Sequence, residues 1–433
     1  MNLLQRFIAY SFVLGSCWSC AHLETSGTAI TNVTTIDVVT GVRPNQTVVF
    51  DGDRIVYAGS ANAAPRAGTQ LDGTDKYLIP GLWDMHVHLT YDERLTQVMP
   101  ASFLRYGITS VRDTGGLLEN ILPVVEELRK PGALAPRVFF SGPLLDGRYV
   151  VYDGVASPEI GIQNSQVAQA VANVSKLKAA GADFIKIYEM VSPEVFAALT
   201  QAAEEHNLPI AAHVPLSMLA SEAGPLVGSM EHLRNIELDC AQSWKKMHAE
   251  RLEALTNKED KTGGSLRSFL HRSQRYRAVE TLDEDRCRYV IQKLVGTIQV
   301  PTIGLNTISL YPIFERADWP DALATMPPVI QQAWQTVPSW MPADRTLWDT
   351  RFPTFVMNMV RDLHRAGVPI GAGTDTPIAH AIPGYSLLHE LEVLAKAEGR
   401  PVPHGGHRQR DDRPGLFLQP GRTHGIHRGQ QTS

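Results

Sequence analysis

Six side chains of metal-binding type stand where apolar runs meet turn residues. They belong to His86, His88, Lys186, His213, His232 and Asp375. Imidazole and carboxylate groups suit zinc, and positions left open on the metal leave room for water. A parallel barrel presents its catalytic groups at the C-terminal ends of its strands, where such side chains would meet. Taken together, the six residues predict a metal-dependent hydrolase.

Each of these residues also has a simpler explanation when it is taken alone. Two histidines at i and i+2 of a strand share one face by chance, and a single residue such as His213 or His232 is usually an ordinary core or surface histidine. Asp375 could merely cap a turn. Lys186 is harder to explain, because a buried ammonium is unfavourable unless it is paired or neutralised. The spacing favours the joint explanation, since the intervals from Lys186 to His213 and on to His232 each fit one strand–helix unit.

The strings around these residues resemble those of the amidohydrolase superfamily, in the branch with imidazolonepropionase-like enzymes and bacterial Xaa-Pro or Xaa-Arg/Lys dipeptidases. The resemblance runs from about Ala29 to about Glu398. It rests on Leu-Ile-Pro-Gly-Leu-x-Asp-x-His-x-His, Thr-Ser-Val-Arg-Asp, Ile-Lys-Ile-Tyr, Ala-His-Val-Pro, Glu-His-Leu and Ala-Gly-Thr-Asp.

The resemblance implies a binuclear site built from the same six side chains. His86 and His88, on the first barrel strand, would hold one divalent ion together with Asp375. His213 and His232, on the fifth and sixth strands, would hold the second. Lys186, carboxylated by carbon dioxide, would bridge the two, which removes the problem of a buried cation. A bridging water loses its proton near neutral pH, and Asp375 would take that proton and pass it to the leaving amine. The implied reaction is hydrolysis of an amide or cyclic amide bond.

Two further residues are candidate substrate contacts. Tyr188 follows Lys186 by two positions and so shares its face of the strand, and Arg112 ends the second predicted strand. Either residue could instead be packed or ion-paired inside the barrel. The long connections at 243–281 and 306–350 predict a partly helical lid, whose tryptophans either line a pocket or pack the lid onto the barrel.

Strands and helices must alternate to position these groups. A first strand is predicted from Leu82, later strands over 108–112, 137–141, 184–188, 210–213, 226–231, 300–303 and 370–374, and helices over 167–180 and 193–205. This alternation is typical of a (β/α)₈ TIM-like barrel, which we predict over 80–398. Residues 28–79 alternate apolar and polar, with a hairpin at 47–59, and the resemblance implies that they form most of a small β-sandwich.

The composition agrees with a globular enzyme acting on a small molecule. The chain has 433 residues, 43% of them hydrophobic, which is enough for one barrel and a satellite domain. Its net charge of −5 gives no indication of a nucleic-acid partner. A structural zinc site would usually be rich in cysteine, whereas Cys240 and Cys287 lie outside the metal-binding strings. The predicted partner is therefore a small amide or dipeptide substrate.

The N-terminus predicts export. Residues 1–20 combine a positive start at Arg6 with a short apolar stretch, and Leu-Gly-Ser-Cys ending at Cys17 resembles a lipobox. The alternatives are a lipid anchor through Cys17 or simple signal cleavage near Ala21. Either predicts a periplasmic or secreted protein, in which Cys240 and Cys287 could form a disulfide.

The C-terminus departs from the family pattern. From 399 to 433 the composition changes to Gly, Arg, His, Gln and Pro, and the strand expected to complete the sandwich is missing. We interpret this tail as the result of a frameshift near residue 399, which resequencing of the 3′ end of the gene would refute if the frame proved intact. Loss of the last helix and strands would expose apolar surface and an unpaired strand edge.

These observations predict a binuclear metal amidohydrolase, a dipeptidase or N-acyl-amino-acid hydrolase. A cyclic amidase or lactonase of the same superfamily is the nearer alternative. An inactive fragment, or a metal-binding protein without catalysis, is the alternative from another class.

Overall fold

The computed structural model describes residues 24–37, 39–155, 157–257, 262–336 and 341–399. The predicted signal segment with Cys17 and the altered tail beyond Gly399 lie outside the described residues, so both interpretations stay predictions. The chain divides into two compact units after Pro80. Among the described helices, none combines the length and the apolar character needed to cross a membrane.

The N-terminal unit is one five-stranded sheet. Its strands are β1 (Glu24–Asp37), β2 (Gly41–Asp51), β3 (Arg54–Ser60), β4 (Arg66–Asp72) and β5 (Tyr77–Leu78). They run in the order β3-β2-β1-β4, and β5 pairs with β1 beyond this path. The predicted hairpin is confirmed, because β2 and β3 pair antiparallel around Gly52, whose φ of +57° suits a tight turn.

The second unit contains parallel strands joined by helices, so the mixed α/β class is confirmed. Its strands are β6 (Leu82–Val87), β7 (Ile108–Asp113), β8 (Arg137–Phe140), β9 (Leu144–Asp146), β10 (Gly161–Gln163), β11 (Ile185–Ile187), β12 (Ile210–Ala212), β13 (Ser229–Glu231) and β14 (Ile298–Val300). One sheet has the order β6-β7-β8 and another the order β10-β9-β11-β12-β13-β14.

Helices follow most of these strands. They are α1 (Glu93–Thr96), α2 (Met99–Arg105), α3 (Leu118–Leu128), α4 (Val167–Ala179), α5 (Pro193–Glu205), α6 (Ala220–Ala223), α7 (Ile236–Asp239), α8 (Trp244–Thr256), α9 (Gly263–Glu280), α10 (Glu284–Lys293), α11 (Ile303–Asn306), α12 (Trp319–Leu323), α13 (Pro328–Trp334), α14 (Arg351–Arg365) and α15 (Tyr385–Ala397).

Local chemistry explains where the predicted helices begin and end. α5 starts at Pro193 behind Ser192, whose hydroxyl accepts a hydrogen bond from the Val195 N–H. α4 ends just before Gly181, which has a φ of +80°. Both helices bury an apolar face in the core that surrounds the parallel strands, as their sequence patterns predict.

Three predicted strands need correction. The strand predicted over 226–231 begins only at Ser229, because Leu226 ends a short 3₁₀ helix. The strand predicted over 300–303 lies earlier, at Ile298–Val300, because Pro301 lacks an N–H and Thr302 takes a φ of +43° before α11 begins. The segment predicted as a strand over 370–374 makes a single isolated bridge, at Ile370, and a second bridge follows it at Thr376. Its backbone nevertheless bonds on both sides: Gly371 N–H donates to the Gln299 carbonyl, and Asp375 N–H donates to the His86 carbonyl.

The long connections are partly helical, as predicted. The connection after β13 carries α8 and α9, and that after β14 carries α12 and α13. Trp319 and Trp334 are buried in the main hydrophobic core. For these two tryptophans the structure supports packing rather than exposure in a pocket; Trp340 lies outside the described residues.

Candidate metal centre

The ends of β6 and of the segment 370–376 bring three predicted ligands together. His86 Nε2 and His88 Nε2 each lie 3.2 Å from Asp375 Oδ1. All three side chains are buried. Because histidines two apart on a strand point to one side, β6 delivers both imidazoles to the same carboxylate.

The remaining predicted ligands face this group across a short gap. His232 Nε2 lies 4.0 Å from Asp375 Oδ2, and its ring centroid is 4.6 Å from those of both His86 and His213. His86, His232 and Asp375 offer ligand atoms within 4.8 Å of one another, close enough to share one ion. Lys186 is fully buried in the same cavity wall.

Each imidazole is held through Nδ1, which leaves Nε2 facing the cavity. His86 Nδ1 lies 2.7 Å from Glu231 Oε2, and His213 Nδ1 lies 2.8 Å from Glu189 Oε1. Since an ionised carboxylate only accepts hydrogen bonds, both Nδ1 atoms must carry the proton. The Nε2 lone pairs are therefore free for a metal, the arrangement expected around a metal-binding histidine.

The other two imidazoles have uncharged anchors. His88 Nδ1 donates to the Gly115 carbonyl over 3.1 Å, and His232 Nδ1 lies 2.7 Å from the Thr302 hydroxyl. These anchors fix the ring orientations without adding charge. Neither partner was predicted from the sequence, although Thr302 stands two residues after β14, where functional groups of a parallel sheet collect.

Glu189 is the most heavily engaged of the anchoring groups. Beyond His213, its carboxylate accepts hydrogen bonds from Arg234 Nη1 at 3.2 Å, Arg267 Nε at 3.0 Å and His271 Nε2 at 2.6 Å. Arg267 and His271 belong to α9, so the long connection after β13 contacts the candidate metal centre through this carboxylate. In the sequence, the feature that could have identified Glu189 is a carboxylate beside Tyr188 in an otherwise apolar run.

The Lys186 amine is the most unusual group of the site. Its Nζ is buried and has no hydrogen-bond partner among the described residues. Burial lowers the pKa of Lys186 to about 8, although Glu231 pulls in the opposite direction. The neutral amine, the form that reacts with carbon dioxide, is therefore more accessible here than on an ordinary lysine.

The charge states of His213 and Asp375 suit a metal. Burial lowers the pKa of His213 to about 3, and the charge of nearby Lys186 adds to this effect. Burial raises the pKa of Asp375, but the neighbouring imidazoles of His232 and His86 outweigh it and hold that pKa well below the usual range. Neutral imidazole and ionised carboxylate are the forms that bind metal ions.

Strained backbone holds two of the ligands in place. His232 has a φ of +64° and Asp375 a φ of +62°, a region that residues with a side chain rarely adopt. Buried Asp84 accepts hydrogen bonds from both the N–H and the hydroxyl of Thr374, which pins the segment just before Asp375. Strain of this kind tends to collect at functional sites.

One cavity joins these groups. It is lined by His86, His88, Leu144, Tyr152, Ile160, Lys186, Tyr188, His213, His232, Arg234, Asp375 and Ile378. Tyr188, a predicted substrate contact, lies in its wall with its ring 4.4 Å from that of His213. Leucine, isoleucine and tyrosine supply an apolar side to a cavity that is otherwise polar.

Arg112, the other predicted substrate contact, does not line this cavity. Its guanidinium donates to the Met85 carbonyl, to Ser229 Oγ and to Glu231 Oε1, at 2.7, 3.0 and 2.7 Å. These contacts support the alternative of an ion-paired residue between the strands. Through Glu231, Arg112 also supports the anchor of His86.

The residues present fit a binuclear metal site. The buried Lys186 Nζ and Asp375 Oδ1 lack hydrogen-bond partners among the described residues, and such groups are costly unless something binds them. Four imidazoles with anchored Nδ1 atoms surround them. The donor set of nitrogen and oxygen atoms is one that zinc accepts.

Comparison with known proteins points the same way. Residues 77–236 match the amidohydrolase family. Imidazolonepropionase of Mycolicibacterium smegmatis is 37% identical over 70 residues, 16% of this chain and 18% of that protein. Imidazolonepropionase of Streptomyces griseus is 35% identical over 77 residues, 18% of this chain and 19% of that protein. The chain thus spans about a fifth of the length of the curated relatives it matches.

Solved structures share the fold over a longer stretch. A bottromycin amidohydrolase has a TM-score of 0.60 and 21% identity, covering 86% of this chain and 74% of its own. A putative prolidase from Bifidobacterium longum has a TM-score of 0.55 and 20% identity, covering 86% and 79%. A Xaa-Pro dipeptidase with bound methionine has a TM-score of 0.55 and 17% identity, covering 86% and 84%. Residues 77–236 are thus similar to the amidohydrolase family, and the similarity in fold extends over 86% of the chain.

Proposed function

We propose that this protein is a metal-dependent hydrolase of carbon–nitrogen bonds with a binuclear site. One observation carries the proposal: four imidazoles, a carboxylate and an unpartnered lysine amine converge on one buried cavity. His86, His88 and Asp375 would hold the first divalent ion, zinc by the type of donors. His213 and His232 would hold the second, with carboxylated Lys186 between them.

The bound ions would polarise a scissile carbonyl and lower the pKa of a water molecule. The protein's own groups do the rest. Neutral Lys186 would attack carbon dioxide through Nζ and lose a proton, which leaves the carbamate anion that pairs with the cations. Asp375 would accept a proton from the attacking water and return it to the leaving amine nitrogen, which has to leave as a neutral amine.

The parallel strands support a closed (β/α)₈ barrel as the frame of this site. The segment 370–376 bonds to Gln299 at the end of one sheet and to His86 at the start of the other. Between the same two sheets, the Asp183 N–H donates to the Phe140 carbonyl. All predicted ligands then lie at the C-terminal ends of the strands, as in other barrel enzymes.

A dipeptide or an N-acyl amino acid is the substrate class that we favour. Support comes from the shared fold with the prolidase and the Xaa-Pro dipeptidase, and from a cavity that combines apolar and cationic walls. The imidazolonepropionase relatives favour a cyclic amidase, or a lactonase, as the second candidate. We also propose, from the N-terminal sequence alone, that the protein is exported to the periplasm or outside.

The test is a substrate screen with protein produced in zinc-supplemented medium with bicarbonate. Dipeptides, N-acyl amino acids, cyclic amides and lactones are offered to the wild type, to Asp375→Asn, and to the control Asp321→Asn, which changes an exposed residue of α12. We expect amide hydrolysis that a chelator abolishes, that zinc restores and that only Asp375→Asn removes. Hydrolysis of lactones alone would favour the second candidate. Folded, metal-loaded protein that hydrolyses none of them would refute the proposal.

A further inference from the structure

One cation of the cavity is not among the predicted metal ligands. Arg234 follows His232 by two residues, and both line the cavity. The turn that carries them is tight, since Leu233 and Asn235 have φ values of +53° and +67°. Among the described lining residues, Arg234 is the only cation outside the predicted metal ligands.

The contacts of Arg234 are incomplete. Its Nη1 donates to Glu189 Oε1 over 3.2 Å, but its Nε is buried without a hydrogen-bond partner among the described residues. Arg267 donates to the same oxygen over 3.0 Å. Two guanidinium groups therefore share one carboxylate oxygen, and Arg234 has no carboxylate to itself among the described residues.

A carboxylate is the ligand that this arrangement would bind. A guanidinium presents a planar fork of donors that matches the two oxygens of a carboxylate, which a lysine ammonium does not. Burial strengthens such a pair, because water competes less for both partners. Leu144, Ile160 and Ile378 on the same cavity surface would face the apolar part of a small substrate.

We propose that Arg234 binds the free carboxylate of the substrate beside the scissile amide. The inference rests on the proposed function and narrows it. The preferred substrates carry a free carboxylate, as dipeptides and N-acyl amino acids do at their C-terminal end. Neutral amides are poor substrates. Arg234 is then a specificity-determining residue, and its ion pair with Glu189 sets the position of its guanidinium.

Paired substrates test this without any mutation. Each Xaa-Pro dipeptide and N-acetyl amino acid is compared with its own C-terminal carboxamide, so the scissile bond stays the same and only the charge changes. We expect kcat/KM of the wild type to be about 100-fold higher for the free acid, the scale of losing one partner of a buried charge pair. Equal values for the two members of each pair would overturn the inference.

Variants then assign the discrimination to Arg234. Arg234→Gln should lose about 100-fold on free acids and less than about threefold on carboxamides, and Arg234→Lys should fall between it and the wild type. Arg272→Gln removes an exposed arginine of α9 and is the matched control. Equal losses on both members of a pair would mean that Arg234 merely supports Glu189 and would refute its contact with substrate.

Binding of a product separates this inference from the proposed function. Calorimetry compares L-methionine with L-methioninamide on metal-loaded wild type and on Arg234→Gln, with bound metal measured in each sample. Tighter binding of the acid that disappears in Arg234→Gln supports the inference even if no substrate is turned over, in which case the proposed function fails alone. Turnover without any preference for the acid leaves the proposed function standing and overturns the role of Arg234.

Discussion

The two sides of the metal centre are held in different ways. On one side, the His86 and His88 imidazoles each lie 3.2 Å from the Asp375 carboxylate. On the other side, His213 is oriented by Glu189. Two residues of α9, Arg267 and His271, in turn hold Glu189. The first side is thus built by the strands and the segments that continue them. The second also depends on a helix from the long connection after β13.

In the proposed binuclear site, this difference implies that the two ions should respond differently to the same kind of change. Substitutions in the strand-built side should disturb the chemistry itself, since we propose Asp375 as both a ligand and the proton carrier. Substitutions around Glu189 should first weaken the ion on the His213 side. The α8–α9 connection would then couple access to the cavity to occupancy of the second ion.

The largest effect is expected from Asp375→Asn. The amide cannot take a proton from water and binds metal ions poorly, so kcat should fall by about 1,000-fold or more. Steady-state kinetics with the substrate found in the screen measures the loss, and circular dichroism confirms folding. A variant that retains a tenth of the wild-type kcat would contradict the role of this residue.

A smaller effect is expected from substitution of the two anchoring glutamates, and each substitution should lower metal affinity on one side of the site. Glu231→Gln and Glu189→Gln each disturb one Nδ1 anchor, and loss of such a partner typically weakens metal affinity by about 10–100-fold. Competition with a chelator, followed by metal analysis, should show one weakened ion in Glu189→Gln and one retained near wild-type affinity. Glu204→Gln, an exposed glutamate of α5, is the control.

If both glutamate variants lost both ions together, the two sides would not be separable. His213 and Glu189 would then be no more separable from the strand-built side than Glu231 is.

The smallest effect is expected from His271→Ala in α9. Glu189 would keep its contacts to His213, Arg234 and Arg267, so one lost hydrogen bond should weaken the second ion by about threefold to tenfold, on the scale of about 1 kcal/mol. The control is Arg272→Ala, on the exposed face of the same helix. If His271→Ala lost as much affinity for the second ion as Glu189→Gln, the orientation of Glu189 would depend on His271 alone.

The ligands could be predicted because each one is an unusual residue type for its place in the sequence. A lysine between isoleucines, as at Lys186, has few explanations other than a paired or modified group, and its Nζ is indeed buried without a partner among the described residues. Histidines and an aspartate at the ends of apolar runs follow from the geometry of parallel strands. No comparable sequence feature distinguishes Arg267 or His271, since their contacts depend on how α9 packs.

The segment 370–374 shows a case in which the sequence pattern does not predict the strand correctly. Residues 370–374 are apolar and glycine-rich enough to predict a strand, yet only a single isolated bridge forms there. Gly371 and Gly373 pack so closely against Met85 and His86 that a Cβ atom would clash with them. Close approach to β6, rather than regular pairing, sets the conformation of this segment, and that constraint is tertiary.

Arg112 illustrates the same limit at the level of one side chain. Its place at the end of β7 made it a reasonable candidate for the cavity. Its guanidinium instead turns between the strands to Glu231 and Ser229, because a buried carboxylate within reach is a better partner than an open cavity. The direction of a long side chain depends on partners that are distant in sequence.

The most direct test of the binuclear site is the metal content of wild type and Lys186→Ala, produced with zinc and bicarbonate and measured by elemental analysis. The account predicts about two zinc ions per folded wild-type chain and a marked loss in Lys186→Ala, since the bridging carbamate would be missing. Folded wild-type protein with little or no bound metal would contradict it, and the alternative of an inactive fragment would then be preferred.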